Sequence, residues 1–577
     1  MCGIIGIVSQ KRFTNFELLE CLKKLEYRGY DSVGYALRDG SFERDIGYID
    51  DFEKKIEKTF TTTAITHTRW ATHGGITKKN AHPHFDCKGN LFLVHNGIIE
   101  NFSELKEELL KRGHEFRSET DSEVIVHYIE EKLKSIDFKE IIPQLFKEFE
   151  GTYGFLVMLK GKDRIYAVKK DSPLVLGIAK DRFILSSDIY GFSHLTKKSI
   201  FFEDFEFAEI TPKGYRFYDE SGKEIEKEIK TFKWQELTLE KKKYPHFMLK
   251  EIHEQPEVSR RLLDSLKTHQ REKIENLKNL AKSSKRILFA ASGTSYHASL
   301  LGVYFLHRVG IDASTLIASE FQNFMTASKD TLVVAISQSG ETMDVVKALK
   351  YAKKRGSKIV SIVNVPYSTV QRMSDFSIEI LAGQEICVAS TKTFQNQVLV
   401  LLYLAELLGY EVNLDTYPKR AEMTLGLENK ITELAERLKD MKDIYVIGRG
   451  LSYPVAREMA LKLKEISYIH AEGMMGGELK HGTIALIERG TPVISLISNR
   501  DLEMLSNTKE VEARGADVTL ISNNHKFKPD FLIKTSNDGK FCILSTMIGQ
   551  LLSYHIANLK GLPIDKPRNL AKSVTVK

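Results

Sequence analysis

Paired cysteines, long apolar runs and a large excess of one charge are all missing from this sequence of 577 residues. Its five cysteines include no CxxC pair, so neither a disulfide framework nor a zinc cage is indicated, and we expect no metal. No run of about 18 apolar residues exists, and the N-terminus lacks a basic start and a cleavable apolar core, so we expect no membrane span and no export signal. These absences favour a cytoplasmic protein.

Charge and composition exclude further classes of protein. Lys and Arg number 84 and Asp and Glu 77, a net charge of only +7, and the two signs are mixed along the chain. A basic stripe for nucleic acid is therefore not indicated. With 13 prolines and 37 glycines, long disordered stretches are not expected either. We expect roughly three or four folding units, because a chain of this length exceeds a single core.

The texture of the sequence changes near residue 235. Before it, short strands and turns alternate with a few helical patterns, which indicates an α+β domain with layered antiparallel sheets and helices. After it, buried apolar strands alternate with amphipathic helices, the pattern of parallel α/β sheets. We predict domains at 1–235, 256–425 and 426–558, a polar linker at 236–255 and a C-terminal tail at 559–577.

The second half of the chain repeats itself. RILFAASGTSYHASLL resembles DIYVIGRGLSYPVAREM about 157 residues later, TLVVAIS resembles TPVISLIS at about 160, and SKIVSIVNV resembles ADVTLISNN at about 159. Three matches in one order predict two copies of an α/β subdomain.

Two turns rich in hydroxyl groups occur in the first copy, at residues 292–295 and 337–342, after strands that we expect to be neighbours. Such turns place N–H groups, hydroxyls and the positive end of a helix dipole around one point, which suits a phosphate at the carboxyl edge of a parallel sheet. Each turn alone could equally be a plain helix cap. The second copy reads Ser498-Asn499-Arg500-Asp501 at the later position and has lost the pattern.

Cys2 would become the N-terminal residue if Met1 were removed. Thiol and free α-amino group would then belong to one residue, and an amine that titrates near pH 7.7 to 8.0 can take the thiol proton without a histidine. Alone this is a weak indication, because many chains carry a small residue at position 2.

Motifs through the first domain strengthen this interpretation. They are CGIIGIV, LEYRGYDSVG, HTRWATHGG, NAHPH, HNGIIEN and SETDSE. Together they closely resemble the glutamine amidotransferases with an N-terminal nucleophile. The resemblance implies that Cys2 attacks the glutamine amide and that Asn96 and Gly97 supply the donors of the oxyanion hole. It also implies a glutamine-binding set, namely Arg69 on the α-carboxylate, Asp121 on the α-ammonium, and Trp70, Thr72, His73 and His82 around them.

Each of these residues has an ordinary alternative. Arg69 could form a surface ion pair, Asp121 could cap the helix that follows, and Asn96-Gly97 could be a hairpin turn.

Further motifs carry a second resemblance. They are SGTSYH, SQSGET, VASTK, LKLKEISYIHAE, GELKHG and DKPRNLAKSVTV. They resemble the isomerase domain of the glutamine–fructose-6-phosphate aminotransferase family, so that the resemblance spans nearly the whole chain. It implies synthesis of D-glucosamine 6-phosphate and L-glutamate from D-fructose 6-phosphate and L-glutamine, the first step of hexosamine biosynthesis, with ammonia channelled between two sites and no cofactor. The sugar-phosphate residues that it implies are Thr294, Ser295, Ser337, Gln338, Ser339, Thr342, Val388, Ser390 and Lys462.

The same resemblance assigns three further roles. Lys572 would form a Schiff base with the open-chain ketose, Glu465 would move a proton between carbons 1 and 2, and His481 would assist ring opening in a neighbouring subunit, which implies a homodimer. Taken alone, Lys572 in a polar tail would be solvated, and Glu458, Lys462 and Glu465 could form a solvated salt-bridged stripe on a helix.

Other functions fit less well. A different acceptor, as in amidophosphoribosyltransferase or asparagine synthetase, would need a pyrophosphate-binding loop that we do not find in the sequence. A non-catalytic sugar-phosphate sensor would have no use for Cys2, Glu465 and Lys572 together, and a deaminase would have no use for the first domain.

Overall fold

The computed structural model describes residues 2–232, 241–499 and 501–574. The chain divides into two compact units, one of residues 1–238 with 573–577 and the other of residues 239–572. None of the helices in the described ranges is long and apolar enough to cross a membrane.

The first unit is built from two antiparallel sheets and five helices. Its strands are β1 Gly3–Thr14, β2 Ser32–Leu37, β3 Phe42–Ile46, β4 Phe60–Arg69, β5 His84–Phe85, β6 Leu91–Ile99, β7 Gly151–Leu159, β8 Ile165–Lys170, β9 Val175–Ile178, β10 Arg182–Ser186, β11 Lys198–Phe201, β12 Glu206–Thr211, β13 Gly214–Tyr218, β14 Glu224–Ile225 and β15 Lys230–Thr231. Its helices are α1 Asn15–Lys23, α2 Ile49–Glu53, α3 Phe102–Lys111, α4 Glu123–Lys132 and α5 Phe138–Glu148. The strand orders are β15-β11-β9-β10-β1-β4-β2-β3 and β14-β13-β12-β8-β7-β6-β5.

Alternation along the strands explains the layers of this unit. On β6, Phe92 and Val94 face a core shared by both sheets, whereas Leu91 and Leu93 face a second core with α3, α4 and α5. Successive side chains of a strand point to opposite faces, so a strand that is apolar on both faces must be covered twice. The helix α1 packs against β1 and β4 of the other sheet. The predicted layered α+β architecture is confirmed.

The second unit contains two parallel five-stranded sheets among thirteen described helices. Its strands are β16 Arg286–Ala291, β17 Ala313–Ile317, β18 Thr331–Ser337, β19 Lys358–Val363, β20 Phe376–Glu379, β21 Asp443–Gly448, β22 His470–Met475, β23 Pro492–Ile497, β24 Asp517–Ser522 and β25 Phe531–Leu532. Its helices are α6 Phe247–His253, α7 Gln255–Lys267, α8 Arg271–Ser283, α9 Gly293–Arg308, α10 Phe321–Phe324, α11 Met343–Lys354, α12 Thr369–Met373, α13 Lys392–Leu407, α14 Tyr417–Leu425, α15 Glu428–Leu438, α16 Ser452–Lys462, α17 Leu502–Glu512 and α18 Asp538–Leu559.

The two sheets have the same topology. Their orders are β17-β16-β18-β19-β20 and β22-β21-β23-β24-β25, with every neighbouring pair parallel. The predicted repeat of a parallel α/β subdomain is therefore confirmed. The helices α13 and α18, whose described side chains are almost all buried, contribute to one apolar core that includes residues of both copies.

Part of the predicted linker 236–255 lies outside the described residues. The rest includes α6, which places Met248 and Ile252 in the core of the second unit with no exposed surface. Residues 247–253 are therefore folded helix and not linker. The sequence did not indicate this, because polar residues separate Met248 from Ile252 and the buried face is only one turn long.

Candidate active sites

Cys2 directly precedes β1, and the pairing of Gly3 with Thr68 brings it to the end of β4. The backbone N–H of Trp70 donates a hydrogen bond to Cys2 Sγ at 3.2 Å. Burial raises the pKa of the Cys2 thiol, while this N–H and the charge of Arg69 oppose the rise. A thiol in such surroundings needs a base before it can act as a nucleophile at neutral pH.

Asn96 and Gly97 lie inside β6, so the alternative of a hairpin turn is wrong. Asn96 Nδ2 donates to the carbonyl of Cys2 at 2.9 Å, which places the amide donor beside the thiol residue. Gly97 has a φ of +136°, and a Cβ there would lie 1.9 Å from the carbonyl oxygen of Thr152. A side chain at this position is therefore excluded both by conformation and by space.

Arg69 and Asp121 are both buried, each with 3% of its surface exposed, so neither forms a surface ion pair. The guanidinium of Arg69 donates to the carbonyls of residues 73–75 and fixes the loop that follows β4. Asp121 accepts a hydrogen bond from the N–H of Ile99, at the end of β6, at 2.7 Å. This partner differs from the alternative, in which Asp121 caps the helix α4. The structure thus ties both predicted glutamine-binding residues to the elements that carry Cys2 and Asn96.

The other predicted glutamine-binding residues divide into two places. Trp70, Thr72 and His73 lie in the loop after β4, where Thr72 is exposed and the ring of His73 is 5.5 Å from that of Phe102. His82 is instead 3% exposed and lies in the interior of the unit.

His82 belongs to a stack of buried histidines. Its ring centroid lies 4.1 Å from that of His67 and 4.4 Å from that of His84. Burial lowers the pKa of His84 to about 3 and lowers the pKa values of His67, His82 and His95. The stack is therefore uncharged at neutral pH, and it reaches the site through His67 Nε2, which is 3.2 Å from Asn96 Oδ1.

One residue beside Cys2 was not assigned from the sequence, although it lies in the quoted motif LEYRG. Arg28 Nε donates to the carbonyl of Cys2 at 3.3 Å, and its NH1 pairs with Asp188 at 3.1 Å. Tyr27 also donates to Asp188, at 2.9 Å. Arg28, fixed by its buried pair with Asp188, therefore helps to hold the backbone of Cys2 in position.

The two predicted phosphate turns of the second unit lie at the same sheet edge, because β16 and β18 are parallel neighbours. In the second turn, Ser337 Oγ accepts from the N–H of Gly340 at 3.0 Å, and Ser339 Oγ accepts from the N–H two residues further on at 3.1 Å. Thr342 occupies the N-cap of α11 but makes no side-chain cap hydrogen bond. The turn therefore adopts a compact hydroxyl-lined form at a helix N-terminus.

Some polar groups around these turns are hydrogen-bonded within the protein, and others lack a hydrogen-bond partner. The carbonyl of Gln338 accepts from the N–H groups of Asn364 and Val365, both at 3.3 Å. Ser292 Oγ and Ser368 Oγ are buried and have no hydrogen-bond partner among the described residues. Buried hydroxyls are normally paired, so both of these can accept or donate a further hydrogen bond.

Lys462 is the centre of a buried charge cluster on α16. Its Nζ lies 3.2 Å from Glu458, 2.6 Å from Glu465 and 3.0 Å from Thr294 Oγ1. The side chains of Lys462 and Glu458 are each 1% exposed, so the alternative of a solvated stripe is wrong for both. Burial opposes the charge of Lys462, but the two carboxylates outweigh burial and raise the pKa of the lysine.

The position of Glu465 depends on a local change of helix type. Residues Leu463–Ser467 form a π-helix, and Ser467 Oγ donates to the carbonyl of Leu463 at 2.7 Å. A π-turn inserts one residue into the ladder and rotates the following side chains, a feature frequent at functional sites. Glu465 lies in this π-turn and pairs with Lys462, three residues earlier in the chain.

Lys572 pairs with Glu385, and their side chains are only 2% and 0% exposed, so Lys572 is not a solvated tail residue. Burial opposes the charge of Glu385, but Lys572 and several hydrogen bonds lower the pKa of this carboxyl to about 2. Glu385 also accepts from the N–H of Thr391 at 2.9 Å and lies 3.3 Å from Ser390 Oγ. The predicted sugar residue Ser390 and Lys572 therefore share one carboxylate.

Neither Glu385 nor a second carboxylate near it was predicted from the sequence. Glu251, on α6, accepts from the N–H groups of Ile386 and Cys387, on either side of which lie Glu385 and Val388. Burial raises the pKa of Glu251 to about 8. The N–H of Val388 donates to the carbonyl of Asp565 in the C-terminal tail at 3.1 Å, so this loop is held from two directions.

His481 is the predicted residue that the structure does not join to the others. It ends a short 3-10 helix, Glu478–His481, and is exposed. In the described part of the chain, no hydrogen bond or ion pair links it to the clusters of Lys462 or Lys572.

Comparisons with known proteins match both halves of this arrangement. The model of the SIS domain family matches residues 280–407 and 437–528, and that of a glutamine amidotransferase domain family matches residues 67–194. The chain is thus a glutamine amidotransferase domain joined to a duplicated SIS domain.

Relatives that match over their full length identify the family within this class of two-domain proteins. The chain is 42% identical to the glutamine–fructose-6-phosphate aminotransferase (isomerizing) of Thermococcus kodakarensis and 41% identical to that of Sulfurisphaera tokodaii, with 100% of each chain covered. The C-terminal domain of glucosamine-fructose-6-phosphate aminotransferase from Francisella tularensis, a solved structure, matches 57% of this chain and all of its own, with 36% identity and a TM-score of 0.52. The chain belongs to the family of isomerizing glutamine–fructose-6-phosphate aminotransferases.

Proposed function

We propose that this protein converts D-fructose 6-phosphate and L-glutamine into D-glucosamine 6-phosphate and L-glutamate, the first step of hexosamine biosynthesis. The water consumed in hydrolysis of the glutamine amide is balanced by the water released when ammonia condenses with the ketose. Membership of the family and the two buried clusters described above support this proposal.

In the first unit, Cys2 attacks the side-chain amide of glutamine, after an α-amino group freed by removal of Met1 has taken the thiol proton. Asn96 and the N–H of Gly97 stabilise the oxyanion that develops on the amide. Arg69 and Asp121 hold the α-carboxylate and α-ammonium. The contact of Asn96 Nδ2 with Cys2 supports this assignment.

In the second unit, the hydroxyl-lined turns hold the phosphate, and Lys572 condenses with carbon 2 of the open-chain ketose with loss of water. The amine must first lose its proton, so we propose that Glu385 takes the proton of Lys572 when the sugar binds, which leaves the lysine neutral. Ammonia channelled from the first unit then displaces the lysine from carbon 2.

Glu465 next moves a proton between carbons 1 and 2. A base must lie within reach of the proton that it takes, and the ammonium group of Lys462, 2.6 Å from Glu465, fixes the position of that carboxyl group. Lys462 is thus a positioning residue that orients the base.

The observation that carries the proposal is the burial of Lys572 against Glu385 within an otherwise polar tail. The test is incubation of the purified protein with fructose 6-phosphate and glutamine labelled with 15N in the amide, in excess 14N ammonium, without ATP or added metal. We expect glutamate and 15N-amino sugar in equal amounts. Glutamate without amino sugar would refute the proposed acceptor, and amino sugar carrying mainly 14N would refute channelling.

We further infer a cytoplasmic homodimer in which His481 completes the sugar site of the neighbouring subunit. The exposure of His481 and the five unpaired cysteines support these two points. Mixing inactive His481→Ala and Lys572→Arg proteins, with subunit exchange, should restore about a quarter of the wild-type sites, because each mixed dimer holds one intact site. No recovery in demonstrated mixed dimers would show that His481 acts within its own chain.

A further inference from the structure

Four side chains that can bind a metal converge in the first unit, away from Cys2. They are Cys87, His114, His127 and Glu130, whose ligand atoms all lie within 4.8 Å of one another. They come from three segments, namely the turn between β5 and β6, the loop after α3, and α4. Neither the glutaminase nor the sugar chemistry uses any of them.

The distances between the ligand atoms fit a tetrahedral ion. Cys87 Sγ lies 3.6 Å from His114 Nδ1 and 3.6 Å from His127 Nδ1, and Glu130 Oε2 lies 3.0 Å from the first nitrogen and 3.1 Å from the second. With zinc–sulfur bonds of about 2.3 Å and zinc–nitrogen or zinc–oxygen bonds of about 2.0 Å, tetrahedral angles give edges of about 3.5 Å for S–N and about 3.3 Å for N–O. The observed edges agree with these values within about 0.3 Å.

The outer nitrogen of each imidazole faces another carboxylate. His114 Nε2 lies 2.9 Å from Glu131 Oε2, and His127 Nε2 lies 3.5 Å from Glu123 Oε1. Histidines that bind a metal usually donate their outer N–H to such a group, which fixes the tautomer and the ring orientation.

The two Nδ1 atoms face the sulfur of Cys87 and the same oxygen of Glu130. The N–H of Glu115 donates to Cys87 Sγ at 3.4 Å, and the N–H of Cys87 donates to Glu130 Oε2 at 3.1 Å, so backbone groups fix both of these ligand atoms. A divalent cation at the centre would bind all four ligand atoms at once.

We propose that Cys87, His114, His127 and Glu130 form a structural zinc site. A thiolate with imidazoles and a carboxylate suits zinc better than magnesium or calcium, and four protein ligands leave no open position for catalysis. His114 and His127 are 5% and 0% exposed, whereas Cys87, His114 and Glu130 line a surface cavity of about 610 Å³, through which an ion can enter. The ion would fasten the β5–β6 turn, the loop after α3 and α4 to one another.

The site also connects to the glutamine-binding segment. Glu123, beside His127, accepts from the N–H groups of Arg117 and Ser118 at 2.8 and 2.7 Å. Those residues begin the stretch that leads to Asp121. Loss of the ion should therefore loosen this stretch without removing any residue that we place in the chemistry.

Because the sequence has no CxxC pair, we expected no metal. The wide spacing of the four residues along the chain explains why the sequence did not indicate this site. Twenty-six residues separate Cys87 from His114 and twelve separate His114 from His127, so only His127 and Glu130, on one helix face, are close in sequence.

The test is metal analysis of the full-length protein grown with zinc, together with two matched cysteine variants. Cys21→Ser is the control, because Cys21 is also buried and lies 4.0 Å from His194, but it belongs to no group of three metal-binding side chains among the described residues. We expect about one zinc per chain in the wild type and in Cys21→Ser, and less than about 0.1 in Cys87→Ser. Replacement of zinc by cobalt should give a thiolate–cobalt charge-transfer band that Cys87→Ser lacks.

A readout of stability completes the test. Removal of the ion from the wild type by a chelator should lower the unfolding midpoint of the first unit and speed hydrogen exchange in residues 114–130, whereas the chelator should not affect Cys87→Ser. Wild-type protein that holds no zinc and gives no cobalt band would show that the four residues are a hydrogen-bonded cluster only. A Cys87→Ser protein with a full zinc content would place the metal elsewhere.

Discussion

The two candidate sites differ in their electrostatics. Around Asn96 the first unit places four buried histidines whose pKa values are lowered by burial, so these rings are uncharged, and the buried charges next to Cys2 belong to Arg28 and Arg69. The second unit pairs its buried charges at close range, in the cluster of Lys462 and in the pair of Lys572 with Glu385. Amide hydrolysis by a thiol needs fixed donors around one developing oxyanion, whereas the sugar reaction needs acids and bases that exchange protons inside the protein.

The largest expected effect separates the two chemistries completely. Cys2→Ala should reduce glutamine hydrolysis to background, because it removes the nucleophile, and should leave fructose 6-phosphate isomerisation intact in the other unit. Glutamate release and sugar isomerisation are measured on the same preparation. Equal loss of both activities would mean that Cys2 has a structural role.

Lys572→Arg should give the converse result. Arginine keeps the positive charge beside Glu385 but cannot form a Schiff base, so amino-sugar synthesis should be lost while some glutamine hydrolysis persists. Borohydride reduction with fructose 6-phosphate should attach the sugar to Lys572 in the wild type, and peptide mass spectrometry locates the adduct. An adduct on another lysine would refute the role of the tail.

Acid should destabilise the units in different pH windows. The buried histidines have folded pKa values below their unfolded value of about 6.5, so the unfolded chain binds more protons as pH falls, and the first unit loses stability below about pH 6.5. His84, with a folded pKa of about 3, contributes up to about 1.4 kcal/mol per pH unit to this loss. Glu385, with a pKa of about 2, loses its contribution only as pH falls below about 4.5, and Glu251, with a pKa of about 8, adds stability as pH falls from 8 to 4.5.

Hydrogen exchange between pH 7 and 5, resolved by peptide, checks this order of acid stability. His84→Gln should flatten the pH dependence of the first unit by about 1.4 kcal/mol per pH unit. A second unit that loosens first on acidification would contradict the contrast between the sites.

The smallest expected effect compares the two copies within the second unit. Ser339→Ala should weaken binding of fructose 6-phosphate by about 1 to 3 kcal/mol, the value of one hydrogen bond to a charged group, and should leave glutamine binding unchanged. Ser498→Ala, in the copy without the hydroxyl-rich turn, should do little. Calorimetric titration measures both variants, and the reverse order would mean that the phosphate lies in the other copy.

Patterns that depend on near neighbours in sequence were predictable here. The repeat followed from three matched strands, and the two sheets with one strand order confirm it. The strand that carries Asn96 and Gly97 was predicted from apolar residues, whereas the close approach of Gly97 to the carbonyl of Thr152 in β7 depends on pairing with a distant strand.

Partners from distant parts of the chain were not predictable. Glu385 lies 187 residues from Lys572 and sits in a loop without a recognisable motif, so nothing local marks it as the partner of the lysine. The π-helix at Leu463–Ser467 was also missed, because it results from a choice of backbone hydrogen bonds and changes no residue type. The roles of the site residues remain predictions until the variants are measured.

The duplicated topology implies that a symmetric ancestor of the second unit would have held two equivalent sugar sites. By the spacing of 157 residues, Leu301 and Phe305 stand where Glu458 and Lys462 stand in the other copy, and Leu451 stands where Thr294 does. All three are buried apolar residues. Apolar side chains therefore occupy the positions equivalent to the polar cluster, so we expect one sugar-phosphate site per chain and a binding stoichiometry of about one.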